Sequence, residues 1–317
     1  MRQHAADADF LMSLSRLLRL ACLLVLCTGA AYGQDARSPA TTPAPPPPLT
    51  TVPATPSPMA AAAQGAEPVI PNFWDPHARL ERPSAHDLHT IRFLLTDDFP
   101  PFSFRDRRGV LIGFDVDLVR AVCDVLAVPC AIQVRPFDTL VQGLADKQGD
   151  AIVAGLDPTG GNAQLISTSP YLKIPARFVT RRDRPFDPAN KVLRRTVAAV
   201  CGSAHEAYLK ALFPNLQLAC KPDLATALAE LRAGHAAAVF GNAVNLAFWL
   251  NGAQSADCCA FAGGPYLDER YFGAGLAIDL RPDDRRLKAA LDYALREVQR
   301  NGSYEELYLR YFPIGLF

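Results

Sequence analysis

Residues Ile91 to Asp117 read IRFLLTDDFPPFSFRDRRGVLIGFDVD. Ile91 to Leu95 is a short run of apolar, β-branched and aromatic residues, the composition of a strand buried on both faces. Asp97 and Asp98 end it, and Pro100 and Pro101 stiffen a loop presenting Phe99, Phe102 and Phe104. A turn follows, and then a helix from Phe114 to Leu126 with Val116, Val119, Val122, Cys123 and Leu126 at helical spacing. A strand that delivers acidic and aromatic groups at its carboxyl end is how an open α/β sheet builds a small-molecule site. Ligand capture is therefore the first functional expectation.

The same alternation continues outward. Ala131–Val134 and Asp150–Leu156 read as strands, Phe137–Ala145 as a helix, and Ala176–Thr180 as a further strand. A second unit begins near Arg181. It holds strands at Val197–Val200, Leu216–Ala219 and Ala236–Phe240, a helix starting near His205, and a helix over Asp223–Gly234 capped by Asp223. The tail reads as a strand at Ala274–Ile278 and helices at Asp284–Asn301 and Ser303–Tyr311, the last capped by Ser303. No internal repeat of short fixed period is present.

Upstream, Leu17–Ala31 is an apolar run with Arg16 and Arg19 on its amino side and Ala31-Tyr32-Gly33 at its end, the pattern of a cleaved signal peptide. Residues 1–33 are assigned to it, with Met12 a candidate start, and the mature chain begins at Gln34. Neither Cys22 nor Cys27 has the flanking residues of a lipoprotein signal, and no later run suits a membrane span. Residues 34–68 are rich in Pro, Ala and Thr and read as a disordered linker. Residues 69–89 include Phe73 and Trp74, large rings expected to dock on the folded body. The expected division is a first lobe of 90–180 and 273–317 and a second of 181–272.

Lys and Arg number 32 and Asp and Glu 32, so the formal charge is zero and no basic footprint indicates nucleic acid. Export to an oxidising compartment makes the six remaining cysteines candidates for disulfides. Cys123 and Cys130 face each other across a tight turn, and Cys201 and Cys220 follow runs that suit adjacent parallel strands. Cys258 and Cys259 are consecutive and are not expected to bond to each other. No histidine shares the spacing of a zinc site, and no cofactor is indicated.

Seven stretches, in order, carry a resemblance: FPPFSF with GFDVDL, DAIVAGLDPT with TSPYL, AAVCGSAHEAYL, ALAELRAGHAAAVFGN and GSYEELYLRYF. Between Ile91 and Phe312 the chain resembles the periplasmic solute-binding proteins of family 3, the polar amino-acid type. That resemblance implies the type II periplasmic binding fold, two α/β lobes joined by two crossing strands. It also implies a monomer that closes on a ligand and delivers it to an ABC permease. Some members carry a disulfide where Cys123 and Cys130 fall. Phe99 and Phe137 match positions that sandwich the ligand, and Asp97 matches an acidic position that meets a cationic group. Phe102 is expected in the core.

The residues themselves suggest further contacts. Gly155, Leu156, Asp157 and Thr159 form a strand-end turn facing the cleft, and Gly202, Ser203 and Ala204 open a helix whose amides favour an anion. His205 is expected to be a surface helix residue. Two departures from the family stand out. Asn162 occupies the position of the Arg that clamps an α-carboxylate, and Asn242 that of the Asp that meets an α-ammonium. Losing a desolvated Arg–carboxylate contact costs about 2–5 kcal/mol, several powers of ten in affinity. The expected ligand is therefore a small neutral or cationic molecule rather than a standard amino acid, unless Lys173, Arg177 or Arg181 compensates. The alternatives are an accessory or sensory protein on the same fold, and a dehydratase-like enzyme using Asp97, Asp157 and His205 as acid or base.

Overall fold

The computed structural model describes residues 70–317 except 75, 76, 78, 85–87, 157–164, 191–194 and 313. The expected signal peptide and the whole of the expected linker lie outside the described residues, as do Asp157, Thr159 and Asn162 of the expected site.

The chain enters through β1 (Ile91–Leu95). Phe93, Leu94 and Leu95 are wholly buried, and they divide between the two faces. Ile91, Phe93 and Leu95 join the main core, whereas Leu94 points to a smaller cluster with Leu140, Leu144 and Ile152. The proline loop that follows is more ordered than its composition suggests. It forms a three-stranded antiparallel sheet of β2 (Asp98–Phe99), β3 (Ser103–Arg105) and β4 (Leu111–Ile112). Next comes α1 (Phe114–Leu126). Its cap, Gly113, has φ 139° and packs against the Phe102 carbonyl so tightly that a side chain there would collide with it. That carbonyl accepts from Asp115 N at 2.8 Å, which ties the aromatic loop to the helix.

Beyond α1 lie β5 (Cys130–Val134), α2 (Leu140–Ala145), β6 (Ala151–Ile152), β7 (Ile166–Ser167) and β8 (Ala176–Arg181). The strand expected over Asp150–Leu156 is thus confined to two residues. The helix expected from Phe137 begins as a 3₁₀ turn over Phe137–Thr139. The second unit contributes β9 (Thr196–Val200), α3 (Ala204–Leu212), β10 (Gln217–Lys221), α4 (Leu224–Ala233), β11 (Ala238–Asn242) and α5 (Ala243–Asn251). Asp223 caps α4 as expected, accepting from Thr226 N at 2.7 Å. The chain then runs through β12 (Cys259–Tyr266), α6 (Glu269–Phe272), β13 (Asp279–Leu280), α7 (Arg285–Arg300) and α8 (Ser303–Tyr311).

Two expectations for the tail are corrected. Ala274–Ile278 is not a strand: its only ladder contact is an isolated bridge from Leu276 to Leu172, and the paired strand is β13. Ser303 is the first helical residue, and the cap is Gly302 in a left-handed conformation that Ser would not adopt cheaply.

Two five-stranded sheets result. The first runs β5-β1-β6-β13-β7, with β1 parallel to β5 and β6 and with β13 antiparallel to β6 and β7. The second runs β10-β9-β11-β8-β12. There β9 is parallel to β10 and β11, whereas β8 is antiparallel to β11 and β12. β8 and β12 are the two segments by which the chain crosses between lobes. β8 runs through position 180/181 and belongs to the second sheet.

The first core packs β1 and α1 against α7 and α8 through Phe114, Val119, Leu291, Leu295, Tyr304 and Tyr308. The second lobe centres on rings: Phe178 lies 4.5 Å from Phe240, and Tyr208 stacks on Phe240 at 5.6 Å. Phe102 is 2 % exposed, in the core as expected. Ile70, Phe73, Trp74 and Leu88 pack against the first core.

Among the described residues three disulfides are formed. Cys123–Cys130 and Cys201–Cys220 join their partners with Cα separations of 6.2 and 4.9 Å. Contrary to expectation, Cys258 is bonded to Cys259. Ala256 and Asp257 are both left-handed, so the chain turns immediately before the pair. Both cysteines then lie against the Leu231, Val239 and Leu246 cluster, instead of pointing to opposite faces as in a regular strand.

Candidate functional site

A cavity of about 340 Å³ opens where the two sheets approach each other. From the first lobe it is lined by Gly155, Leu156, Ile174 and Leu276, and from the second by Ala204, His205 and Asn242. The remaining wall is the segment Tyr271-Phe272-Gly273-Ala274-Gly275, where the chain returns to the first lobe.

Gly155 ends the β6 segment with φ 63°, a conformation that favours glycine. A side chain there would press on Leu276 Cδ2 at 3.2 Å and on Phe99 Cε1 at 3.3 Å. Phe99 therefore stands directly behind Gly155, stacked on Phe102 at 4.7 Å. Phe102 is fixed in turn by Phe114 and Phe312.

The opposite wall is built on α3. His205 lies on its first turn, stacked on Phe272 at 5.2 Å and edge-on to Phe240 at 5.9 Å. Burial among these rings pushes its pKa down to about 4, so the imidazole is neutral at pH 7. The expectation of a surface helix residue is thus corrected. Tyr271 and Phe272 extend the wall, with Tyr208 behind them at 5.3 and 5.0 Å.

The start of α3 is already occupied by a carboxylate. Ser203 Oγ accepts from Glu206 N at 3.2 Å, while Glu206 Oε2 accepts from Gly202 N at 2.7 Å. This reciprocal cap consumes the amide that was expected to favour an anion and places a negative charge there. Gly202 and Ser203 do not line the cavity; Ala204 does. Asn242 caps α5, its Oδ1 accepting from Val244 N at 2.9 Å and Asn245 N at 3.3 Å. With Oδ1 so engaged, Asn242 meets the cavity as a neutral residue.

Gly155, Leu156, Ala204 and Asn242 are therefore brought together, with Phe99 behind them. Gly202, Ser203, Phe137 and Asp97 are not. Phe137 is 52 % exposed on the turn before α2 and lines no part of the cavity, so the sandwich of Phe99 and Phe137 is not formed in this structure. Asp97 is held by Arg105, Nε to Oδ2 at 2.6 Å.

The three compensating cations are also engaged elsewhere. Lys173 pairs with Glu269 at 2.7 Å and Arg181 with Asp183 at 2.8 Å. Arg177 donates to the Leu316 carbonyl at 2.9 Å. No described lining residue carries a formal charge at pH 7. Among the described residues no group of His, Cys, Asp or Glu is placed to hold a metal, and no helix is long and apolar enough to cross a membrane.

The residues missed in the sequence were Ile174, Tyr271, Phe272 and the 273–276 segment. Their signal was positional. A chain passing between lobes must line the cleft, and YFGAG sits at that passage.

Two α/β lobes, crossed twice by the chain around an aromatic-walled cavity, have the architecture of the two-lobed solute-binding proteins. Residues 91–314 match the family model of the bacterial extracellular solute-binding proteins, family 3, and the chain belongs to that family. It is similar to the putative ABC transporter arginine-binding protein 2 of Escherichia coli, 29 % identical over 230 residues, 72 % of this chain and 93 % of the relative. It is also similar to the lysine/arginine/ornithine-binding periplasmic protein of Escherichia coli, 29 % identical over 232 residues, 72 % of this chain and 89 % of the relative. Among solved structures, the L-cystine solute receptor of Neisseria gonorrhoeae, unliganded and open, superposes with a TM-score of 0.65 at 19 % identity. That match covers 73 % of this chain and 96 % of the receptor.

Proposed function

We propose that this chain is a periplasmic receptor that captures a small, polar, amino-acid-like solute of neutral or cationic character and delivers it to an ABC permease, without chemistry. The first 33 residues export it, residues 34–68 tether it, and the folded part acts as a monomer. Relatives named as arginine-binding and lysine/arginine/ornithine-binding proteins support this solute class.

The observation that carries the reading is the cavity wall itself. Neutral His205, Tyr271 and Phe272 offer ring faces to a cationic or planar group, an attraction of about 0.5–2 kcal/mol per contact. Asn242 is a neutral residue in place of a charged anchor. A cavity without formal charge among its described residues has little to hold an anionic solute.

With Asn at 162 and 242, the α-amino-acid head group loses its charged clamp, so a ligand lacking the α-carboxylate should be tolerated. The test is calorimetry on the protein beginning at Gln34, comparing L-arginine, agmatine, L-glutamine and L-glutamate. The proposal predicts that agmatine binds at least as tightly as L-arginine and that L-glutamate gives no heat. Tight L-glutamate binding, or submicromolar L-arginine or L-glutamine binding with agmatine silent, would overturn it.

A further inference from the structure

Arg177 is an unusual residue to bury. It lies on β8, one of the two crossing strands, and is 9 % exposed. Among the described residues no carboxylate pairs with it: its Nη1 donates to the Leu316 carbonyl at 2.9 Å, and its guanidinium lies over the Phe261 ring at 4.6 Å. Its Nε is buried with no partner among the described residues. Burying a cation without an anion is costly, and an aliphatic side chain would hold two strands together more cheaply. What a guanidinium adds is a directional bond that can be made in one arrangement of the chain and exchanged in another.

The partners of Arg177 join parts of the molecule that must move relative to one another. Phe261 is on β12, the second crossing strand, and packs against both the first core and the Leu231–Val239 cluster of the second lobe. Leu316 is wholly buried in the first core, and its amide donates to Tyr308 Oη at 3.4 Å. Phe317 follows, with its ring 5.7 Å from that of Phe73 in the segment preceding β1. A continuous line of contacts thus runs from both crossing strands, through the carboxyl terminus, to the Phe73 arm.

We propose that Arg177 is a positioning residue for lobe movement, a buried latch that ties the crossing strands to the carboxyl-terminal segment and, through Phe317, makes the Phe73 arm a brace on the hinge. The inference depends on the two-lobed fold and not on which solute is bound, so it is tested without ligand.

The full chain and its R177M, F73A, F317A and F73A/F317A variants are compared by hydrogen exchange and small-angle X-ray scattering. R177M keeps the volume of the stem but removes the directional bond. It should speed exchange in β8 and β12 about tenfold, leave β1 and β9 within twofold, and broaden the distribution of ligand-free dimensions. F73A and F317A should each speed the same two strands about threefold, and the double variant no more than either alone. Unchanged exchange in β8 and β12, or equal acceleration in both sheets, would overturn the latch. Multiplying effects of F73A and F317A would overturn the brace. Should R177M fail to fold, the arm and terminus variants decide the matter alone.

Discussion

Both lobes contain ring clusters, but the core of the first also encloses three carboxylates, Asp115, Asp279 and Asp292, whereas the rings of the second pack around Phe178 and Phe240 without a buried acid among them. Asp115 accepts from the Tyr171 hydroxyl at 2.9 Å, and Tyr304 donates to the Tyr171 carbonyl at 2.7 Å. Asp279 accepts from Ser167 at 2.6 Å, and Asp292 from Ser169 N at 2.7 Å. Among the described second-lobe residues, the one buried carboxylate is Glu206, spent on the α3 cap. The first lobe is therefore specified by directional bonds to buried acids, and the second by shape and ring geometry. The cavity inherits that division: a backbone turn and aliphatic groups on one side, an aromatic wall on the other.

The two lobes should respond oppositely to acid. Burial pushes Asp115 up to about 7 and Asp279 up to about 6, with the Tyr171 and Ser167 hydrogen bonds only partly offsetting it. A carboxyl whose folded pKa lies above its unfolded value near 3.8 stabilises the fold fully below that value. The contribution is lost as pH rises through the folded pKa. His205 has the reverse sense. Its folded pKa near 4 lies below the ordinary 6.5, so its contribution is present above 6.5 and lost as pH falls toward 4.

The largest effect expected from this contrast is in the first lobe. D115N should remove the Asp115 share of the first lobe's loss of stability between pH 4 and pH 7, on the order of 4 kcal/mol, and leave the smaller Asp279 share in place. Lobe-resolved hydrogen exchange at pH 5 and pH 8 reads this directly. A variant as sensitive to base as the parent would show that Asp115 is ionised in the folded protein without penalty. The second effect is smaller. H205Q should remove an acid sensitivity of the second lobe on the order of 2 kcal/mol between pH 6.5 and pH 5. If the two lobes of the parent protein instead shift together with pH, the contrast is broken.

Much of this architecture could be read in the sequence where burial on both faces or helical spacing left one solution. Ile91–Leu95 and Phe114–Leu126 form the elements expected at the expected bounds. Where pairing is decided at long range, the sequence was silent. β12, CAFAGGPY, contains two glycines and a proline and does not look like a strand, yet it is held by β8, which lies far earlier in the chain. Ala274–Ile278 looks like a strand and is not one, because β13 pairs in its place beside β6 and β7.

The site shows the same limit. Gly155, Leu156 and Asn242 were legible because strand ends point to clefts. Phe137 has the residue type of a ligand wall, but the turn it occupies leaves it in solvent. His205 resembles any polar residue on a helix until Phe240 and Phe272 close over it from other elements. Cys258 and Cys259 were misjudged because the two left-handed residues before them cannot be seen in composition.

The central claim is that the solute is held by the aromatic wall of the second lobe rather than between Phe99 and Phe137. It is tested most directly by titrating F272A and F137A with whichever of L-arginine or agmatine the parent protein binds more tightly. The account predicts that F272A weakens binding about ten- to a hundredfold, the loss of one ring contact in a desolvated site, while F137A stays within twofold of the parent. Weakening by F137A with F272A unaffected would contradict it.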